Sequence, residues 1–183
     1  MVNLSCSPFS LGKNRKRNRL FSAQARENGV PLAYCNCVGI QNNGKNVFTL
    51  DGCTSIYKKD GRLCTSAEVY SESLVSFTYD DGELSSDQPL GYSPPITEAT
   101  YKALHYGTKL FLEECGIKRM TIGLSGGIDS AVTAAMYVDI LGPENVLLIN
   151  MPSEFNSEAT KSLAQSMAQK LGTNYAIVPI QKS

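Results

Sequence analysis

The sequence predicts a mixed α/β chain built from two differently patterned parts. Residues 30–79 offer one short strand pattern after another, separated by Asp-Gly turn signals, after a single helix. Residues 97–183 instead alternate helix and strand, ending in a strand–helix–strand–helix–strand run of the kind that forms a parallel unit. Between them, Asp80 to Pro95 is polar, holds three prolines and lacks an apolar period, so it reads as a linker. The expected division is 1–80, a linker at 81–96, and 97–183.

A chain of 183 residues suits one or two domains. With 42% hydrophobic and 19% charged residues it can build a core, and disorder is not expected. The formal net charge is zero, so nothing global draws it to nucleic acid or to an anionic membrane. No apolar run approaches the roughly 18 residues of a membrane span, and Met1-Val2-Asn3-Leu4-Ser5 does not read as a signal peptide. The expected location is cytoplasmic.

Taken in order, Val2-Asn3-Leu4 reads as the end of a strand with no preceding element to pair it. A helix is expected from about Asn14 to Glu27, with Leu20, Phe21 and Ala25 as its buried stripe. Its basic cluster, Lys13, Arg15, Lys16, Arg17 and Arg19, has no aromatic interleaving and reads as a solvated face. Strands are expected at 30–40, 47–50, 53–57, 63–67 and 74–79, with Lys59-Asp60-Gly61-Arg62 as a hairpin turn. Thr97 can cap a helix running to Cys115, with Ala103, Leu104, Phe111 and Cys115 as its apolar set. A buried strand at 119–124, a buried helix over 131–138, a strand at 146–151, an amphipathic helix at 157–171 with Leu163, Met167 and Leu171 one turn apart, and a strand at 175–180 complete the chain.

The six cysteines, Cys6, Cys35, Cys37, Cys53, Cys64 and Cys115, lack zinc spacing and are expected as reduced, mostly buried thiols. His105 stands alone on its helix without a nucleophile in view and reads as a helix-surface residue.

The most informative stretch is Ser125-Gly126-Gly127-Ile128-Asp129-Ser130, between a predicted strand and a predicted helix. A glycine-rich turn opening a helix points amide N–H groups at one spot, where the helix N-terminus adds partial positive charge. Adjacent glycines let a phosphate approach without a Cβ in the way. Ser125 and Ser130 can donate further hydrogen bonds. Asp129 beside a phosphate makes chemical sense if a cation lies between. No lysine follows the glycines, which excludes the Walker pattern, and the spacing is not that of a dinucleotide fold.

This loop resembles the Ser-Gly-Gly-x-Asp-Ser loop of the ATP pyrophosphatases. With Asn3 to Phe9, Gly12-Lys13, Val38 to Asn42 and Asn150-Met151-Pro152-Ser153, the chain from about Leu4 onward resembles the middle of a glutamine-dependent NAD synthetase. That resemblance implies an α/β fold: the C-terminal part of a nitrilase-like αββα sandwich, then the first half of a Rossmann-like doubly wound parallel sheet of the adenine nucleotide alpha hydrolase type. It implies ATP and Mg2+ as cofactors, deamido-NAD and glutamine as substrates, no nucleic-acid or membrane partner, and a homo-oligomer for the intact enzyme. Gly123, Leu124, Ser125, Gly126, Gly127, Ile128, Asp129, Ser130 and Met151 would bind ATP, with Asp129 as metal ligand and the Met151 backbone near the adenine. Ser7 and Lys13 match glutamine contacts. The Glu-Lys-Cys triad of the glutaminase has no counterpart here, and Cys6 is not expected to replace its nucleophile. The chain is therefore expected to be a fragment, with each half cut through a sheet. Two other readings are a non-catalytic ATP-binding remnant and one piece of a split enzyme. GMP and asparagine synthetases share the loop type, and the nitrilase-like half argues against them.

Overall fold

A computed structural model describes residues 1–91, 94–152 and 158–180, with backbone only for 158–161. Ser153 and the expected helix start at Ser157 lie outside the described residues. The chain forms two compact units, Met1–Phe111 and Leu112–Ser183.

The first unit opens with β1 (Val2–Ser5), followed by α1 (Lys13–Asn28) and β2 (Leu32–Asn36). β1 is not unpaired as expected: it runs parallel to β2, the strand that follows α1, with Val2 opposite Ala33 and Ser5 opposite Asn36. The expected strand at 30–40 is two strands. Beyond Asn36 the chain leaves this sheet, and β3 (Val38–Asn42) pairs antiparallel with β4 (Val47–Asp51) instead. β5 (Ser55–Tyr57) and β6 (Leu63–Ser66) form the hairpin across Asp60-Gly61 and give the four-stranded order β1-β2-β5-β6. At the turn Gly61 has φ +84°, and a Cβ there would lie 2.5 Å from the Ser22 carbonyl oxygen, so both conformation and space require glycine.

The expected strand at 74–79 is largely absent, and Leu74 is exposed. Only β7 (Thr78–Asp80) pairs, with β8 (Glu83–Ser85), inside the stretch read as linker. Asp81 (φ +43°) and Gly82 (φ +81°) between them are a two-residue turn with both central residues left-handed. α2 (Ile96–Glu114) then buries Ala103 and Leu112, whereas Leu104 and Cys115 of its expected apolar set are exposed. His105 is half-buried and rests against the ring of Tyr101, with centroids 5.8 Å apart.

α1 departs from expectation in a way that fixes this unit. Its buried stripe is Arg17, Phe21 and Ala25, spaced four apart, while Leu20 is exposed. Arg17, read from sequence as solvated, is 7% exposed and grips Asp51, itself 2% exposed, with both terminal nitrogens. Nη1 donates to Asp51 Oδ1 at 3.0 Å and to the Tyr34 hydroxyl at 3.1 Å. Burial disfavours the guanidinium charge, yet the bond and attraction of Asp51 outweigh it and raise the Arg17 pKa. Phe21 stacks beside Tyr34 with centroids 4.7 Å apart and closes the core with Leu32 and Tyr57. The cysteines are free, and of the six only Cys53 is buried; Cys6, Cys35, Cys37 and Cys115 are exposed, against the expectation of burial.

The second unit carries β9 (Met120–Gly123), α3 (Ile128–Leu141), β10 (Val146–Asn150), α4 (Glu158–Leu171) and β11 (Asn174–Ile177). The sheet is parallel in the order β11-β10-β9, with Leu148 opposite both Ile122 and Tyr175. β10 lies centrally and alternates buried Val146, Leu148 and Asn150 with half-buried Leu147 and Ile149. Against its buried face pack Ala134 of α3 and Ala164 and Ala168 of α4, small residues that let the helices lie close to the sheet. Two expectations fail. β9 is half-buried because β10 alone has a strand on each side, and α3 has one fully buried residue, Ala134. In α4 Ala164 and Ala168 are buried, with Met167 and Leu171 of the expected apolar set packed beside them, whereas Leu163 is exposed.

Two outcomes follow for the first unit. Asp51→Ala should lower stability by about 3–5 kcal/mol by stranding a buried guanidinium, and replacing both partners as Arg17→Met with Asp51→Leu should recover most of it; denaturant unfolding followed by circular dichroism measures both. Burial raises the Cys53 thiol from its ordinary 9.0 to about 12 and the Tyr57 hydroxyl from 10.0 to about 12. A raised folded pKa gives stability that is whole below the unfolded value and lost as pH climbs through the folded one. Stability should therefore fall between about pH 9 and pH 12, and Cys53→Ala should flatten the start of that fall in a pH series of denaturant melts.

Candidate nucleotide site

The loop at 125–130 joins β9 to α3 at the carboxyl end of the parallel sheet, the end where open α/β sheets bind ligands. Two contacts fix its start. Leu124, 1% exposed, donates its N–H to Ile149 O at 2.8 Å, and its carbonyl accepts from Asn150 Nδ2 at 2.6 Å. The polar side chain of Asn150 thus occupies a core-facing position of β10 in order to hold the strand exit. Its Oδ1 is buried without a partner among the described residues.

The loop itself is organised by two hydroxyls. Ser130 Oγ accepts from the Ser125 N–H at 3.2 Å and donates to Gly127 O at 3.0 Å, while lying 3.0 Å from Ser125 Oγ. Ser125 Oγ in turn accepts from the Gly127 N–H at 3.2 Å. Gly126 sits at φ +88°, a left-handed conformation that favours glycine. α3 starts with the Ala131 N–H donating to Gly127 O at 3.1 Å, which leaves the first-turn amides of Ile128, Asp129 and Ser130 without helical partners. Asp129 is exposed in that first turn, where its charge faces the positive end of the helix. Loop amides, two hydroxyls and a helix terminus can together hold a phosphate chain. A carboxylate one residue before Ser130 can hold a hydrated divalent cation that the phosphates also ligate.

The structure brings together the loop residues singled out by sequence. Gly123 and Met151 also meet: a Cβ on Gly123 would lie 3.2 Å from Met151 Cε, and Met151 is half exposed at the strand end. A cavity of about 330 Å³ opens beside the loop, lined by Leu124, Gly126, Gly127, Ile128 and Ala131, and by a face of α4 that sequence reasoning missed. That face is Leu163, Ser166, Met167 and Lys170. Their spacing of three, four and seven residues makes one helix face, of which the sequence reading named Leu163 and Met167 as apolar positions and passed over Ser166 and Lys170. No cluster of three metal-ligating side chains occurs among the described residues.

In the first unit, Ser7 and Lys13 converge on one turn without touching each other's side chain. The Ser7 N–H donates to Asn36 Oδ1 at 2.7 Å, Asn36 Nδ2 returns a bond to Ser7 O at 3.1 Å, and Lys13 Nζ donates to Pro8 O at 2.8 Å. Asn36, which sequence reasoning passed over, is 7% exposed and also donates to Gly52 O at 2.9 Å. Its signal was the strand alternation that sets it on the face of Leu32 and Tyr34. A larger cavity of about 510 Å³ lies against Phe9, Gly12, Asp51 and Tyr70; Ser7 and Lys13 do not line it.

Comparison with known proteins agrees with this geometry. Residues 100–183 match the family model for NAD synthase. A glutamine-dependent NAD(+) synthetase of Synechocystis is 39% identical over 98% of this chain, and one of Aquifex aeolicus is 27% identical over all of it. The chain is similar over its length to glutamine-dependent NAD(+) synthetases. It spans 32% and 37% of the length of those two relatives. A solved glutamine-dependent NAD+ synthetase from Acinetobacter baumannii, in complex with ADP, superposes with a TM-score of 0.86 at 27% identity, over 98% of this chain and 34% of that one. The enzyme from Cytophaga hutchinsonii shares the fold with a TM-score of 0.74 at 17% identity, over 98% of this chain and 36% of that one. Among the described residues no helix is long and apolar enough to cross a membrane.

The clamp on the strand exit is testable. Asn150→Leu should leave the Leu124 carbonyl buried and unpaired at a cost of about 1–3 kcal/mol. Amide hydrogen exchange over Thr121–Leu124 should accelerate accordingly, and at least as much in Asn150→Asp, which sets a buried carboxylate oxygen against the Leu124 carbonyl.

Proposed function

We propose that this chain is a segment of a glutamine-dependent NAD synthetase, and that its second unit holds the ATP consumed in the amidation of deamido-NAD. Residues 1–80 would be the C-terminal part of the nitrilase-like glutaminase domain, 81–96 its linker, and 97–183 the start of the synthetase domain. The observation that carries the reading is the Ser125–Ser130 loop, held between a parallel strand and a helix N-terminus, in a chain related over its length to these synthetases.

In this reading the amides of Gly126 and Gly127 and the hydroxyls of Ser125 and Ser130 grip the pyrophosphate portion of ATP. The hydroxyl proton of Ser125, directed at Ser130 Oγ because that oxygen donates to Gly127 O, is available to turn toward a phosphate oxygen. Holding those oxygens in place favours attack of the deamido-NAD carboxylate on the α-phosphorus, giving an adenylate that ammonia then converts to the amide. Asp129 would hold Mg2+, which when bound spreads the charge that builds on the departing pyrophosphate. Gly123 and Leu124 lie at the strand end, Ile128 opens the helix beside the loop, and the Met151 backbone would lie near the adenine. Ser7 and Lys13, tied to the turn at Pro8, would contact glutamine in the first unit. The reading makes the protein cytoplasmic and its intact form a homo-oligomer.

The test is titration calorimetry of the chain with ATP and magnesium. Binding is expected, weakened at least tenfold by Gly127→Val, which puts a branched side chain into the phosphate path, and by Asp129→Ala, which removes the metal ligand. Unchanged binding in both variants would overturn the site assignment.

A further inference from the structure

The parallel pairing of β1 and β2 ends at Ser5 opposite Asn36, and the next residues along both strands are Cys6 and Cys37. The last ladder bond, from the Cys37 N–H to Ser5 O at 3.2 Å, holds Cys37 against the residue before Cys6, and the Ser7 N–H then leaves the ladder for Asn36 Oδ1. Ser5 and Asn36, the last facing pair, stand at the strand spacing of about 4.8 Å, and Cys6 and Cys37 follow them directly, where the roughly 4.4–6.8 Å between Cα atoms that a disulfide spans is within reach. The side chains are neighbours as well: interaction with the Cys6 sulfur, with a smaller part from burial, raises the pKa of the Cys37 thiol. Both residues are exposed and within reach of a soluble oxidant. The other cysteines differ. Cys35 stands across the ladder from Leu4, and Cys53 is buried.

We propose that Cys6 and Cys37 are a reversible dithiol–disulfide pair, oxidised by a hydroperoxide and reduced by a small thiol. The thiolate of one cysteine attacks the peroxide, forming a sulfenic acid and releasing water. The second thiol then attacks that sulfur and expels a second water as the S–S bond forms. Two thiols and one hydrogen peroxide thus give one disulfide and two waters, with the sulfurs oxidised by two electrons. The new bond would join the residue before Ser7 to the residue after Asn36, which already hold each other by two hydrogen bonds. Oxidation would therefore lock the Ser7 turn onto the sheet. This inference does not depend on the proposed function.

The test is mass spectrometry of the purified chain after brief exposure to hydrogen peroxide, alkylation in denaturant and digestion with trypsin. The expected product has four of the six cysteines alkylated and one link between the peptides 1–13 and 27–45, reversed by dithiothreitol. Because the second peptide also contains Cys35, the link should persist in Cys35→Ser and vanish in Cys37→Ser and in Cys6→Ser. Six alkylated cysteines, a link that needs Cys35, a link between two chains, or a lone sulfinic acid at either residue would each overturn the proposal.

Discussion

The paired charges of Arg17 and Asp51 are the constraint on which the first unit depends. A guanidinium and a carboxylate out of water are each costly, so every element that approaches them must supply a partner or exclude solvent. α1 is phased so that Arg17, Phe21 and Ala25 face inward, and Tyr34 offers its hydroxyl to the guanidinium. Asn36 lies 3.3 Å from the same carboxylate and reaches from there to the Ser7 turn. Arg17 Nε is buried without a partner among the described residues, so the network is held by the two terminal nitrogens. One buried pair thereby links the helix, two strands and the turn that carries the expected glutamine contacts.

The second unit solves a related problem at smaller cost. Its strands end in a loop whose amides must point outward to bind anything, which removes them from the sheet. Asn150 compensates by donating to the last carbonyl of the strand exit, and the two serines complete the loop's own bonding. Rigid support below and unengaged helix-terminal amides above are what a phosphate site needs, since donors positioned in advance cost little reorganisation when the ligand arrives.

The relation to the synthetases and the geometry bear on different scales. Sequence identity reaches across both units, while the cavity beside the loop is shaped by α3 and α4 alone. Lys170 lines that cavity from a helix whose apolar residues suggested a core face. Its ammonium, near loop amides that already favour an anion, adds to the positive field there.

The sequence by itself determined the order of the strands and helices in the second unit, the hairpin at Asp60-Gly61 and the strand–loop–helix that carries Ser125 to Ser130. These follow from local rules, since turn residues, alternation and glycine spacing act over a few positions. Helix phase was settled only in three dimensions. Leu20, Leu104 and Leu163 were expected inside and are exposed, while Arg17, Ala164 and Ala168 took the inward positions. A period identifies two adjacent faces almost equally well, and the choice falls to whatever partner lies opposite: Asp51 for α1, and the close approach of β10 for α4. The burial of Asn36 and Asn150 was equally illegible, because a polar side chain belongs in a core only where distant carbonyls and amides converge to bond it.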